Sequence, residues 1–456
     1  MQLNTTLTLD QSEACNKFLS FLLNPEEKEF YLFGAAGCGK TFLTRHFISQ
    51  IFEKDYKNTC KVLGIEAEIQ DVLITATTNK AAEVLQQHLS NLPSSISNYV
   101  DTVFKALDVT VKENYATGET YLSNYCKTPI SNTLLIVDEC SMLPKQMLKI
   151  IRTRMTSKSK ILFIGDSYQL APVNETPQWD NTKANVTAVL STPVRNQGNQ
   201  ALMDFCEQLR TTVKTGVFKD IELKEGSIEL LDEEATKNWL LSVDYKDNRV
   251  LTYTNKKAID YIDWISESKH IALPNNTVIP NFLYVNNSNF IFENIGKKPI
   301  RFYPEELMKV IDVDPKIQFI KPDTPKGRDY GVEAYKATVI SVNNPSKPEV
   351  TVWVATNIED LLLLRKKAVR NKDWTEYFAL EDLCMDLRLP YASTIHKAQG
   401  NTYKEVLIDL NSFRSCKDPD VAARLLYVAA SRAKDKILLH GKLPKKYGEI
   451  VCQKGK

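Results

Sequence analysis

Phe30–Tyr31–Leu32–Phe33–Gly34–Ala35–Ala36–Gly37–Cys38–Gly39–Lys40–Thr41 is the stretch that decides the fold. Its apolar half reads as a buried strand, its glycines as a turn, and Lys40–Thr41 as the start of a helix. The spacing fits G-x-x-x-x-G-K-[ST], a Walker A loop. Gly34, Gly37 and Gly39 open backbone conformations closed to other residues and allow close approach to phosphates. The amides of Ala35, Ala36 and Cys38 and the positive end of the helix then face an anion. Lys40 supplies a point charge to the β- and γ-phosphates, and Thr41 a hydroxyl for Mg²⁺. A glycine turn that matched by chance would not need the flanking strand and helix.

Composition sets the outer limits. A chain of 456 residues predicts two to four domains. Hydrophobic content of 43% and charged content of 25% are ordinary globular values. No apolar run approaches a membrane span, and the N-terminus has no signal-like core, so neither membrane nor export is expected. The nine cysteines form no C-x-x-C pair and the five histidines show no ligand spacing. A reduced, cytoplasmic protein without structural zinc is expected. A net charge of +2 means that any nucleic-acid site must be a local groove.

Around the Walker loop the chain alternates strands and helices. Thr8–Leu9–Asp10–Gln11 opens an apolar helix. Gln11 completes a capping box with Thr8 or reads an adenine edge, and the spacing alone favours the cap. Val72–Ala76 is a strand that ends in Thr77–Thr78–Asn79–Lys80, with a helix from Ala81. Val250–Tyr253 repeats the pattern and ends in Thr254–Asn255–Lys256. The repeat predicts a duplicated lobe, with amides and hydroxyls facing phosphate at both junctions. Leu134–Val137 is an apolar strand ending in Asp138–Glu139, a Walker B element beside the Walker A loop. Asp138 would hold Mg²⁺ through water, and Glu139 would orient and deprotonate the attacking water. Ser141 leaves an acidic helix cap as the alternative. Ile161–Ile164 leads into Gly165–Asp166–Ser167–Tyr168–Gln169, which places Gln169 to sense a γ-phosphate; taken alone, the stretch is only a polar loop.

Val109–Tyr115 and Glu119–Tyr125 flank a glycine turn and read as a hairpin with tyrosines on it, a wedge or a decoration. Residues from about 266 to 388 change character, with β-rich pieces followed by a helical piece over about 357–387. Its cluster Arg365, Lys366, Lys367, Arg370 and Lys372 is either a solvated face or a DNA-backbone surface. In Tyr391–Gly400, Ser393 or Thr394 caps a short helix that Gly400 ends. Leu425–Ala433 reads as a helix whose Arg432 can face a nucleotide on the other lobe as an arginine finger. Arg195 is either a second phosphate contact or a surface arginine.

The order of these motifs resembles the superfamily 1 helicases, and within them the 5′→3′ Dda/RecD-like branch. V-D-E-C-S-M (137–142), G-D-S-Y-Q-L-A-P-V (165–173), S-T-I-H-K-A-Q-G (393–400) and Y-V-A-A-S-R-A (427–433) carry the resemblance over nearly the whole chain. It departs at Thr102–Val103–Phe104, where the family often has Thr-Ile-His, and at Ala430–Ser431–Arg432, where it usually has V-T-R.

The resemblance implies an α/β chain of two RecA-like P-loop lobes in tandem, with ATP and Mg²⁺ between them. Lobe 1A spans 1–101 and 132–190, and a β-hairpin insertion, the pin, spans 102–131. Lobe 2A spans 191–265 and 388–456, with an SH3-like insertion carrying a helical tower over 266–387. Gln11 becomes an adenine reader, Gly400 joins the nucleotide site, and Arg195 and Arg432 reach the γ-phosphate from the second lobe. Thr77, Thr78, Asn79, Lys80, Thr102, Thr254, Asn255, Thr394 and His396 line a single-strand track, with Tyr115 and Tyr121 on the pin. The implied activity is ATP-driven 5′→3′ translocation on single-stranded DNA and opening of DNA forks, in phage replication or recombination. The protein would act as a monomer in the host cytoplasm, beside a single-strand-binding protein or replisome component. A translocase that strips proteins without unwinding, an RNA helicase and a non-hydrolysing ATP-gated scaffold are the alternatives.

Overall fold

A computed structural model describes residues 7–89, 100–114, 120–124, 128–172, 186–192, 199–269, 278–288, 290–292, 299–324, 330–342, 344 and 347–451. In the first lobe the strands are β1 (Glu29–Gly34), β2 (Asp71–Ala76), β3 (Val100–Thr102), β4 (Val109–Glu113), β5 (Thr120–Asn124), β6 (Thr133–Asp138), β7 (Lys160–Gly165) and β8 (Val186–Leu190). Six of them form a parallel sheet in the order β3-β2-β6-β7-β1-β8. Its inner strands are mostly apolar and buried between their ends, as strands covered on both faces are.

One face packs on the helix Leu9–Leu23 and the run that follows the Walker loop. There Phe18 stacks on Phe47 at 4.2 Å between centroids and meets Phe30 edge-on at 5.4 Å. That run is α-helical over Lys40–His46, π-helical over Phe47–Tyr56 and α-helical again over Lys57–Leu63. The other face packs Tyr31, Phe33 and Phe163 against Leu143, Met147 and Ile151. Lys160 ends this layer: its buried ammonium donates to the carbonyls of Phe21, Asn24 and Glu27 and closes the C-terminus of the helix Leu9–Leu23. Burial lowers its pKa to about 8.

The antiparallel pair β4–β5 forms the hairpin, with Lys112 opposite Tyr121. Tyr115 and Tyr125 lie outside the described residues.

The second lobe is a five-stranded parallel sheet in the order Ile228–Leu231, Ala433–His440, Tyr403–Asp409, Asn248–Thr252, Ala392–Thr394. The helices Gln200–Thr215 and Pro419–Ala430 pack together on one side of it. Between the halves of this lobe lies a separate five-stranded antiparallel sheet. Its order is Val350–Ala355, Val332–Ser341, Glu306–Ile320, Leu283–Asn286, Leu387–Arg388. The helices Ile358–Arg370 and Trp374–Glu381 cover part of it through Leu361, Ala368 and Leu380. The helix Asn255–Ser268 runs past residue 265, and Arg388 belongs to the insertion's sheet, so these elements cross the expected domain limits slightly. Among the described residues no helix is long and apolar enough to cross a membrane.

The sequence reading placed a short helix between Ser393 and Gly400, and the structure corrects it. Ala392–Thr394 is a strand paired with Val250–Thr252, and Ser393 is buried in it. After Thr394 the chain makes turns only, with Ala398 N–H bonded to Thr394 O at 3.0 Å, and Gly400 is left-handed at φ +85°. The ladder claims the residues that would have started a helix.

Candidate functional site

β1 delivers the Walker loop to the edge of a cleft between the lobes. Gly37 and Gly39 have φ of +86° and +78°, which only glycine adopts freely. Gly34 plays a different part from the expected one. Its φ is not left-handed; a Cβ there would meet the Leu190 Cβ at 3.0 Å, so it permits β1 and β8 to pack closely. The Lys40 ammonium donates to Gly34 O at 2.8 Å and Ala35 O at 3.0 Å, and so holds the loop in the shape of a cradle.

Gln11 satisfies its spacing and faces the loop as well. It forms the capping box with Thr8, and its amide nitrogen donates to Cys38 O at 3.3 Å while the residue is buried. Beside it, the Asp10 carboxylate accepts the Ser191 and Thr192 amides at 2.8 Å each. Burial alone would raise this carboxyl, but the hydrogen bonds from Thr8, Thr192 and Ser191 outweigh it and hold the pKa at about 2. The start of the chain is thereby fixed to the segment that leaves lobe 1.

β6 ends at Asp138, whose carboxylate accepts the Glu139 N–H at 2.8 Å. Glu139 sits in the left-handed region at φ +51°, a strained position for a non-glycine residue. Its backbone is held by Thr77, whose hydroxyl donates to Glu139 O at 2.9 Å, while Thr77 N–H bonds to Asp138 O at 3.1 Å. Thr77 is therefore buried against the Walker B turn. Glu139 Oε2 is buried without a hydrogen-bond partner among the described residues, as suits a group waiting for a water. Burial, and then the Glu139 charge, push the Asp138 carboxyl up to about 7. Thr41 and Asp138 are two of the hard oxygen donors that line the cleft. They fit Mg²⁺, which binds through one or two protein oxygens together with phosphate and water.

The second lobe closes the cleft with Gly400, Asn401, Ser431 and Arg432, around a volume of about 710 Å³. Arg432 is buried and turned onto its own lobe. It donates to Val428 O at 3.1 Å, Asn401 O at 3.1 Å and Ser431 Oγ at 2.9 Å. Arg195 lies outside the described residues.

Four hydrogen bonds that sequence reading did not find join the lobes. Tyr427 donates to buried Asp166 at 2.5 Å, Arg424 donates to Ser167 O and Gln169 O at 2.8 Å each, and Gln399 donates to Gln169 Oε1 at 3.1 Å. Gln169 is thus held at its backbone carbonyl and at its side chain by lobe 2. Tyr427, five residues before Arg432, was the available signal.

The expected nucleic-acid residues fall at matched junctions. Thr78 accepts the Ala81 N–H at 3.2 Å and Thr254 accepts the Lys257 N–H at 3.3 Å, each capping the helix after its strand. On the neighbouring edge strands, Thr102 accepts the Lys105 N–H at 3.3 Å and Thr394 the Lys397 N–H at 3.4 Å. Even the register agrees, since Ala76 pairs with Thr102 and Thr252 pairs with Thr394. Asn255 and Lys256 are exposed, whereas Asn79 and Lys80 are half-buried and Lys80 pairs with Glu83 at 3.2 Å. The His396 ring lies 6.4 Å from Tyr253, and burial lowers its pKa. The neighbouring Lys397 donates to Asn287 O at 2.8 Å and ties this loop to the insertion. On the hairpin Tyr121 is 47% exposed.

Comparison with known proteins agrees with this geometry. Residues 23–175 match the family model of the AAA domain, and residues 389–440 match that of the UvrD-like helicase C-terminal domain. The P-loop and Walker B turn lie within the AAA match and Gly400 and Arg432 within the UvrD-like one, so in both lobes the chain is similar to superfamily 1 helicases of the Dda kind. Among individual proteins it is similar to the ATP-dependent DNA helicase dda of Enterobacteria phage T4, at 22% identity over 88% of this chain and 92% of that one. It is also 24% identical to an uncharacterized protein of Acanthamoeba polyphaga mimivirus, over 94% of this chain and 98% of the relative. Solved structures it resembles include Bacteroides Pif1 helicase with ADP-AlF3 and single-stranded DNA (15% identity, 98% and 95% coverage, TM-score 0.46). Pif1 helicase of Candida albicans is another (16% identity, 97% of both chains, TM-score 0.40).

Proposed function

We propose that the protein is an ATP-dependent DNA helicase that translocates 5′→3′ on single-stranded DNA and opens forks. The observation that carries this reading is the pair of matched junctions. Thr78 and Thr102 on one lobe, and Thr254 and Thr394 on the other, cap equivalent turns in equivalent register on either side of one nucleotide cleft. Two equal grips joined by one ATP site are what alternating translocation requires.

In this reading Gln11 contacts the adenine, and the Gly34–Thr41 loop and Lys40 hold the phosphates. Thr41 and Asp138 hold Mg²⁺, which supplies charge neutralisation to the transferring phosphoryl group. Glu139 takes a proton from the attacking water, aided by a carboxylate oxygen that nothing else binds. Gln169 senses the γ-phosphate and passes its state to lobe 2 through Gln399 and Arg424. Arg432, together with Arg195, turns toward the γ-phosphate when the lobes close. Each closing shifts one grip along the strand while the other holds.

The hairpin β4–β5 serves as the pin, with Tyr121 offered to the fork. The antiparallel sheet with its two helices serves as the SH3-like part and tower. The polarity and a role in phage or viral replication, as a monomer in the host cytoplasm, follow the likeness to the phage helicase. So do the expected partners, a single-strand-binding protein or a replisome component. Hydrolysis of ATP stimulated by single-stranded DNA, and abolished by Lys40→Ala, tests the motor assignment. No stimulation by DNA would refute it.

A further inference from the structure

We infer that Arg249, with Lys246 at its rim, forms a phosphate-holding subsite in the arm of the cleft beyond the γ-phosphate position, which takes the inorganic phosphate after hydrolysis and before it leaves. This deepens the proposed ATPase reading and rests on it.

The cleft has two ends. One end is the Walker loop, against which Gln11 lies outside the cavity lining, its helix tied to the chain leaving β8 through Asp10. Toward the other, the cleft passes Asp138 at the end of β6 and reaches Lys80 and His88, on the helix that follows β2. β2 lies beyond β6 from the Walker strand. Lobe 2 matches that step. Gly400–Thr402 precede the strand Tyr403–Asp409, and the next strand, Asn248–Thr252, brings Arg249 into the same cavity. A group released from the γ-position opposite the base has this arm in front of it.

Arg249 is a buried group of the arm whose guanidinium is not fully hydrogen-bonded among the described residues. The residue is 6% exposed, and its Nε and Nη1 have no hydrogen-bond partner among the described residues. Its guanidinium lies over the Tyr403 ring at 5.2 Å, which fixes the fork in place. A buried guanidinium with two unused donors is costly unless an anion completes it. Glu305 is the acid of the arm and feels the Arg249 charge, but among the described residues no hydrogen bond or ion pair joins the two. Lys246 is exposed at the mouth. The planar fork suits a tetrahedral phosphate oxyanion, which it can meet with two parallel N–H donors, one from Nη2 and the other from Nε or Nη1. Hydrolysis itself supplies that ligand. Water adds to the γ-phosphorus, the bond to the ADP oxygen breaks, and the water's proton passes through Glu139 to solvent. No further bond changes at Arg249.

The test uses the full-length protein with Mg-ADP filling the Walker loop and inorganic phosphate as the probe. Phosphate binding is read by calorimetry, and phosphate inhibition of DNA-stimulated ATP hydrolysis is read separately. Arg249→Gln should weaken both by about tenfold or more, the loss expected for a charge-assisted contact, with KM for ATP unchanged. Arg249→Lys should retain part of the effect, and Lys246→Ala should show a smaller change in the same direction. Equal phosphate affinity in the wild type and Arg249→Gln overturns the subsite, as does affinity that depends on Lys40 and not on Arg249. Should Arg249→Gln fail to fold, Lys246→Ala decides, and an unchanged inhibition constant there overturns the inference. A wild type that binds phosphate through Arg249 and hydrolyses no ATP would refute the proposed function and leave the anion site standing.

Discussion

Asp138 gives a prediction whose size can be worked out. An ordinary aspartate titrates at 3.8, and burial together with the Glu139 charge raises this one to about 7. In the unfolded chain the carboxyl ionises near its ordinary value. Folding therefore holds a proton that the unfolded chain releases, and stability from this group is lost as pH rises from 3.8 through about 7. About three pH units at about 1.4 kcal/mol each give a ceiling of about 4 kcal/mol above pH 7. Asp138 keeps some surface in the cleft, so water screening brings the effect below that ceiling. Asp138→Asn removes the titration and keeps the shape. The assay is unfolding of wild type and variant across pH in buffer with EDTA. The variant should be the more stable by a few kcal/mol above pH 7, and its advantage should shrink steadily below pH 7 and vanish near pH 4. A difference that does not change with pH would refute the reasoning.

Three further variants probe the site. Arg432→Ala should still bind ATP and lose turnover by about 10³-fold or more, read by nucleotide binding and single-turnover hydrolysis; near-normal turnover would remove the finger assignment. Tyr121→Ala should lower duplex opening while single-strand-stimulated hydrolysis survives, because a ring stacked on a base returns about 1–3 kcal/mol at the fork. Equal loss of both activities would mark Tyr121 as structural. Tyr427→Phe leaves buried Asp166 without its donor from the other lobe, at a cost of about 2 kcal/mol. A lower thermal midpoint and a higher KM for ATP are expected, and no change in either would show that the bond does not hold the seam.

The residues that local chemistry dictates were readable from the sequence. Lys40, Thr41, Asp138 and Glu139 sit where strand ends and glycine turns put them, and the repeated Thr-Asn-Lys marks the capped junctions. Gln11 shows the limit of a single reading, since one side chain both caps its helix and contacts the Walker loop. Gly34 matches the motif for a reason that depends on β8, some 150 residues away in sequence, which local spacing does not carry. Ser393 and Thr394 have a helix-starting pattern but are taken by a strand whose partner comes from Val250–Thr252. Helical periodicity near 3.6 also cannot distinguish the π-helical Phe47–Tyr56 from its α-helical neighbours. The seam of Asp166, Arg424 and Tyr427 and the buried Arg249 are products of tertiary proximity. Each is an ordinary polar residue until the lobes meet.

The central claim is a motor that opens duplex by moving 5′→3′ along one strand. Its most direct test is ATP-dependent opening of two partial duplexes, one with a 5′ single-stranded tail and one with a 3′ tail, with Lys40→Ala as the inactive control. Opening of the 5′-tailed substrate alone, lost in Lys40→Ala, is the predicted result. Opening of the 3′-tailed substrate alone would contradict the polarity, and opening of neither, with hydrolysis still stimulated by single strands, would contradict unwinding itself.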